Sequence, residues 1–108
     1  MLLTALDRIA LATLLPVRGD FLSLSTAESL RKKIAFSDAE REGLSIRSLP
    51  DGNVTWNPAA DVPSDREFSP VEVDFVKNLL VTTNDKRELL ADQMGLYRLF
   101  VLTGEQNG

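Results

Sequence analysis

Ser29 and Lys33 stand four residues apart, the spacing that puts two side chains on one face of a helix. A serine hydroxyl activated by a lysine amine is one route to nucleophilic catalysis. The same pair is common on wet helix surfaces, and a solvated face is the preferred reading here. Carboxylates offer a second chemistry, general acid–base work or Mg²⁺ binding. Glu72 and Asp74 lie two apart and diverge on a helix, while Asp38, Glu40 and Glu42 share a helix of little more than one turn. Capping and interaction with N-terminal helix dipoles account for them better. With no histidine and no cysteine in the chain, imidazole and thiolate catalysis are excluded, and the commoner zinc sites with them. The glycines are scattered one to a turn or tail, without a phosphate loop. No catalytic residue, cofactor or metal site is expected.

Binding is then the class of function that remains. Arg31-Lys32-Lys33 is the concentrated basic run, with Arg41 and Arg47 nearby in sequence. Trp56 is the sole tryptophan; it reads as packing against the helices, or alternatively as a binding anchor, since tryptophan is enriched among interface hot spots. Arg31, Lys32, Lys33, Arg47 and Trp56 make up the candidate interaction surface. The chain as a whole carries 16 acidic against 12 basic residues, a net charge of −4. That balance disfavours nucleic acid as the partner and favours a protein.

These residues depend on helices with explicit starts. Three serines are followed by glutamate three residues on, Ser25/Glu28, Ser37/Glu40 and Ser69/Glu72, each able to form a capping box. At the third, Pro70 fits the first helical position and Phe68 can staple onto Val73. The predicted helices cover residues 25–35, 38–42 ended by Gly43, and 70–82. In the last, Val73, Phe75, Val76, Leu79 and Leu80 face inward, and Glu72, Asp74, Lys77 and Asn78 face water. A first helix spans residues 2–15, with Leu3, Leu6, Ile9, Ala10, Thr13 and Leu14 inward, Asp7 and Arg8 on the wet side, and Pro16 as its stop. Residues 21–24 read as an extended connector. Apolar alternation over 44–49 and 54–57 around Asp51-Gly52 predicts a β-hairpin, and 58–67 a surface loop. After a polar break at 83–86, residues 88–102 return to helical spacing through Leu89, Leu90, Met94, Tyr97, Phe100 and Val101.

The 108 residues, 44% of them hydrophobic, suffice for one core. The expectation is an α+β, mainly helical single domain over 1–102 with one hairpin, and a frayed tail over 103–108. Its opening stretch has no basic region before the apolar residues and reads as a core helix rather than a signal peptide. It is also too short to span a bilayer. No membrane partner is expected, and the absence of cysteine fits the cytoplasm.

The chain resembles a family of small proteins encoded by bacteriophages and prophages. The likeness rests on Leu6-Asp7-Arg8, Leu14-Leu15-Pro16, Gly19-Asp20-Phe21, Phe36-Ser37-Asp38-Ala39-Glu40, Trp56-Asn57-Pro58, Leu96-Tyr97 and Phe100-Val101. Residues 84–92 depart from the pattern of those relatives. The resemblance implies a phage or prophage setting, in the host cytoplasm, and assigns no activity or site residue. The favoured function is a non-enzymatic interaction protein that engages a host or phage protein, as an inhibitor for example. One alternative is a DNA-binding regulator, since the order helix, helix, helix, hairpin is winged-helix-like; its third helix, however, carries three carboxylates that phosphates would repel. A second is a structural or assembly protein of a virion, its wide apolar first helix covered in a homo-oligomer.

Overall fold

The structure, a computed structural model, describes residues 1–103. Thr4 decides where the first helix begins: its hydroxyl accepts from the Asp7 N–H at 3.1 Å, and the Asp7 carboxylate accepts from the Thr4 N–H at 3.1 Å. Asp61 arrives from a distant loop to accept the Ala5 N–H at 2.9 Å, a carboxylate at the positive end of the helix dipole. So anchored, α1 runs Ala5–Leu14. The expected start at residue 2 is therefore corrected, because Leu2–Leu3 precedes the cap and forms strand β1.

The next start is corrected as well. Asp20 accepts from the Ser23 N–H at 2.7 Å and caps α2, Phe21–Ile34. The chain thus becomes helical at once after the break at Pro16–Gly19, and residues 21–24 are helix rather than connector. Ser25 is interior, and Glu28 turns outward to Lys32 at 3.4 Å. The Ser37/Glu40 box does form and opens α3, Asp38–Leu44. Gly43 does not end it. Closure falls to Ser45 at φ 52, where Ile46 N–H bonds to Arg41 C=O at 3.0 Å and Ser45 N–H to Glu42 C=O at 3.2 Å, a Schellman pattern.

The expected hairpin follows, shorter than its apolar alternation. Strands β2, Arg47–Ser48, and β3, Val54–Thr55, pair antiparallel with Arg47 opposite Thr55. Pro50 and Asp51 make the bend, Gly52 takes φ 89, and Leu49 N–H closes the loop on Asn53 C=O at 2.7 Å. Part of the expected loop is ordered by pairing: Pro58–Ala60 is a 3₁₀ turn, and β4, Ser64–Asp65, pairs antiparallel with β1. The order helix, helix, helix, hairpin is present, and β1, which precedes it, pairs with β4 and not with the hairpin.

From the Ser69/Glu72 box α4 extends over Pro70–Asp85, into the polar break expected at 83–86. Another Schellman closure ends it, with Glu88 N–H on Thr83 C=O at 3.0 Å and Arg87 N–H on Asn84 C=O at 2.9 Å. Arg87 fills the left-handed position at φ 58, which costs a side-chain-bearing residue about 1 kcal/mol. Arg87→Gly should accordingly raise stability by about 0.5–1 kcal/mol, read as a higher melting midpoint in thermal denaturation.

The closing helix is broken into a 3₁₀ turn, Ala91–Gln93, the α-helix α5, Met94–Tyr97, and a π-helical stretch, Arg98–Thr103. The expected tail otherwise lies outside the described residues. α1 packs on α2 and α5, and α4 packs on α2 and the closing helix. They share one core centred on Leu11, Leu30, Val76, Leu80, Leu96 and Phe100. Leu90 and Met94, expected inside, are exposed, because the chain at 86–90 is non-helical and resets the phase of the last helix. Leu2, the first residue of the expected helix, is exposed too. Among the described residues no helix is long and apolar enough to cross a membrane.

Candidate functional site

Consecutive helical residues are turned by roughly 100°, so Arg31-Lys32-Lys33 cannot present one patch. Arg31 turns to the end of α1, its Nη2 donating to Pro16 C=O at 2.8 Å and Leu15 C=O at 3.3 Å. Lys32 points outward to Glu28, both side chains exposed. Lys33 turns to α4, where its ammonium meets Glu72 at 2.5 Å. Arg47 is exposed on the hairpin, with no ionic partner among the described residues. Trp56 lies just past β3, half-buried over a hollow it shares with Leu6, Ile9 and Leu90.

Ser29 and Lys33 do meet, on a third residue. The Ser29 hydroxyl donates to Glu72 at 2.8 Å, and the Ser69 N–H donates to the same carboxylate at 2.8 Å. Glu72 is thus buried rather than on the wet face of its helix. Burial works against its charge, but Lys33, Ser69 and Ser29 together outweigh it and hold the carboxyl below the usual range. An ammonium held in an ion pair is not a base, and this cluster serves as a polar latch between α2 and α4. Among the described residues there is no group of three or more His, Cys, Asp or Glu that could hold a metal ion.

Arg8 is the residue that sequence reasoning misplaced. Expected on the wet side of α1, it is 2% exposed. Its Nε donates to Ile34 C=O at 3.0 Å and its Nη2 to Ala35 C=O at 2.6 Å, so it satisfies the last carbonyls of α2, which ends in extended backbone without a left-handed cap. Its fork grips Glu40, with Nη1 at 2.6 Å and Nη2 at 3.2 Å, and the guanidinium carbon lies 3.9 Å from the centre of the Phe36 ring. A signal was present: residues 8, 11 and 15 form one helical stripe, and Leu11 and Leu15 are core.

The Arg8 fork, opposed by partial burial and helped by the Ser37 N–H and Arg66, pulls the Glu40 carboxyl down to about 2. A carboxyl whose pKa is lower folded than unfolded adds stability above its unfolded value, and the gain is lost as pH falls through the folded one. The melting midpoint should therefore drop between about pH 5 and pH 2. Glu40→Gln should flatten that part of a pH series of thermal melts.

Beside Arg8 opens a groove of about 470 Å³ between α1, the end of α2 and the hairpin. Ile9, Ala12, Ile34, Ile46 and Val54 give it an apolar floor. Arg8, Arg31 and Arg41 line it, and among the described residues no aspartate or glutamate does. The Arg8 charge is balanced by Glu40. Among the described residues neither Arg31 nor Arg41 has a carboxylate partner, and Arg41 is exposed. Of the basic residues noted in the sequence, the fold brings these two to one site and sends Lys32, Lys33 and Arg47 elsewhere. A second apolar surface, Val17, Phe21 and Leu22, is exposed where α1 gives way to α2.

Comparison with protein-family models, with curated proteins and with solved structures finds no match for this chain.

Proposed function

We propose that this is a non-enzymatic binding protein that holds a protein partner in the groove between α1, α2 and the hairpin. One observation carries the reading: an apolar floor edged by Arg31 and Arg41, which have no carboxylate partner among the described residues, in a chain whose net charge is −4. Sites of this size with apolar linings and a few placed polar groups are where proteins take ligands. The lack of imidazole and thiolate chemistry supports binding over catalysis. The resemblance to phage and prophage proteins supports a host or phage protein as partner, met in the host cytoplasm.

Blocking the groove tests this. Ala12 lines it and is exposed, so Ala12→Trp fills the groove without disturbing the core. A photoreactive residue at position 13 should cross-link a defined protein from a lysate of the cells that carry the gene, and the added Ala12→Trp change should abolish the adduct. An adduct equally strong in the blocked protein would place the partner elsewhere.

A further inference from the structure

We infer that the occupant of the groove is an acidic amphipathic segment, its apolar side chains on the floor and its carboxylates on Arg31 and Arg41; this rests on the groove being the binding surface. Two features of the rim point to carboxylates. Arg31 is already held, because a single amino group of its guanidinium is spent on the carbonyls of Leu15 and Pro16. A guanidinium held in this way loses little freedom on binding, and its Nη1 is left to donate to a carboxylate. Arg41 stands on α3 with no ionic partner among the described residues and supplies a second cation on the same rim. A neutral apolar segment would cover these charges without compensating them, which is costly when charges leave water. A basic segment would be repelled.

Duplex DNA fits less well. Phosphate recognition draws on several cations and polar groups along the backbone, whereas here the floor is apolar.

Selection from a random-peptide display library decides the matter, with the folded protein as bait and the Ala12→Trp protein as counter-selection. Peptides that survive should interleave Asp or Glu with Leu, Ile or Phe. Fluorescence anisotropy of a labelled survivor should show binding that weakens with salt and falls about tenfold in Arg41→Glu, whose circular dichroism should stay that of the parent. Neutral or basic survivors would overturn this inference and leave the groove reading intact. No groove-dependent survivor would overturn both. A labelled short DNA duplex that binds the parent and is lost in Arg41→Glu would overturn the acidic segment in favour of nucleic acid.

Discussion

Arg8→Met should cost about 3–5 kcal/mol of stability, the range for breaking a buried ion pair by removing one partner. For a domain of this size the melting midpoint should fall by about 15–25 °C, read by circular dichroism on heating. Methionine approximates the volume, so little of the loss comes from a cavity. What is lost is the fork on Glu40 and two bonds to the final carbonyls of α2. Arg8→Lys keeps the charge but can neither bridge both carbonyls nor grip Glu40 with two nitrogens, so it should recover only part of the loss. The decisive comparison is Arg8→Met with Glu40→Leu. If the loss comes chiefly from stranding a half-buried carboxylate, the double variant should be more stable than Arg8→Met alone. Removal of Glu40 also breaks the capping box of α3, so the recovery should be incomplete. A melting midpoint within a few degrees of the parent for Arg8→Met would show that the side chain does not hold α1, α2 and α3 together.

Arg8 also marks the boundary between what the sequence discloses and what it does not. Signals that act within a few residues were legible: the Ser37 and Ser69 boxes, Pro70 at the first turn of α4, and the Asp51-Gly52 bend all form where they were read. Ser25 misled because two caps were available in succession, and Asp20 stood first after the break. Pairing of β1 with β4 joins segments some 60 residues apart through two residues each, too short to show a period of two. The groove is of the same kind. Its walls come from α1, α2, α3 and the hairpin, so no single stretch of sequence carries its pattern. Arg31 was legible as a candidate but not separable from Lys32 and Lys33, because only the tertiary setting of α2 decides which of three successive directions faces a neighbour.

Partial cover by the hairpin explains why the groove exists. Leu6, Ile9 and Thr13 share the sector of α1 that periodicity marks as apolar, yet none of them is fully buried. The deep stripe is Arg8, Leu11 and Leu15. A hairpin with two paired residues in each strand is too small to cover the whole remaining sector, and it leaves a hollow on each side of Val54. The apolar width of α1 thus becomes the floor of the groove on one side and the seat of Trp56 on the other.

Phe100→Ala should be the other severe substitution, at about 3–5 kcal/mol, the range for truncating a buried aromatic side chain. Phe100 is 0% exposed, and its ring centre lies 5.9 Å from that of Phe68 in a tilted pair. Its place in the core is the outcome of an irregular helix. Sequence spacing puts Leu90, Met94, Tyr97 and Phe100 on one face, whereas in the fold Leu90 and Met94 are exposed and Leu96, Phe100 and Val101 turn inward. The two arrangements give different mutational patterns. If the break at 86–90 sets the face, Leu96→Ala should cost about 2–5 kcal/mol and Phe100→Ala as much or more. Leu90→Ala and Met94→Ala should then stay within about 0.5 kcal/mol of the parent, as exposed substitutions do. Urea unfolding at fixed pH, with midpoints compared at a common slope, measures all four. A large loss at Leu90 or Met94 with little at Leu96 would mean that the last helix is continuous and packs through the face its spacing suggests.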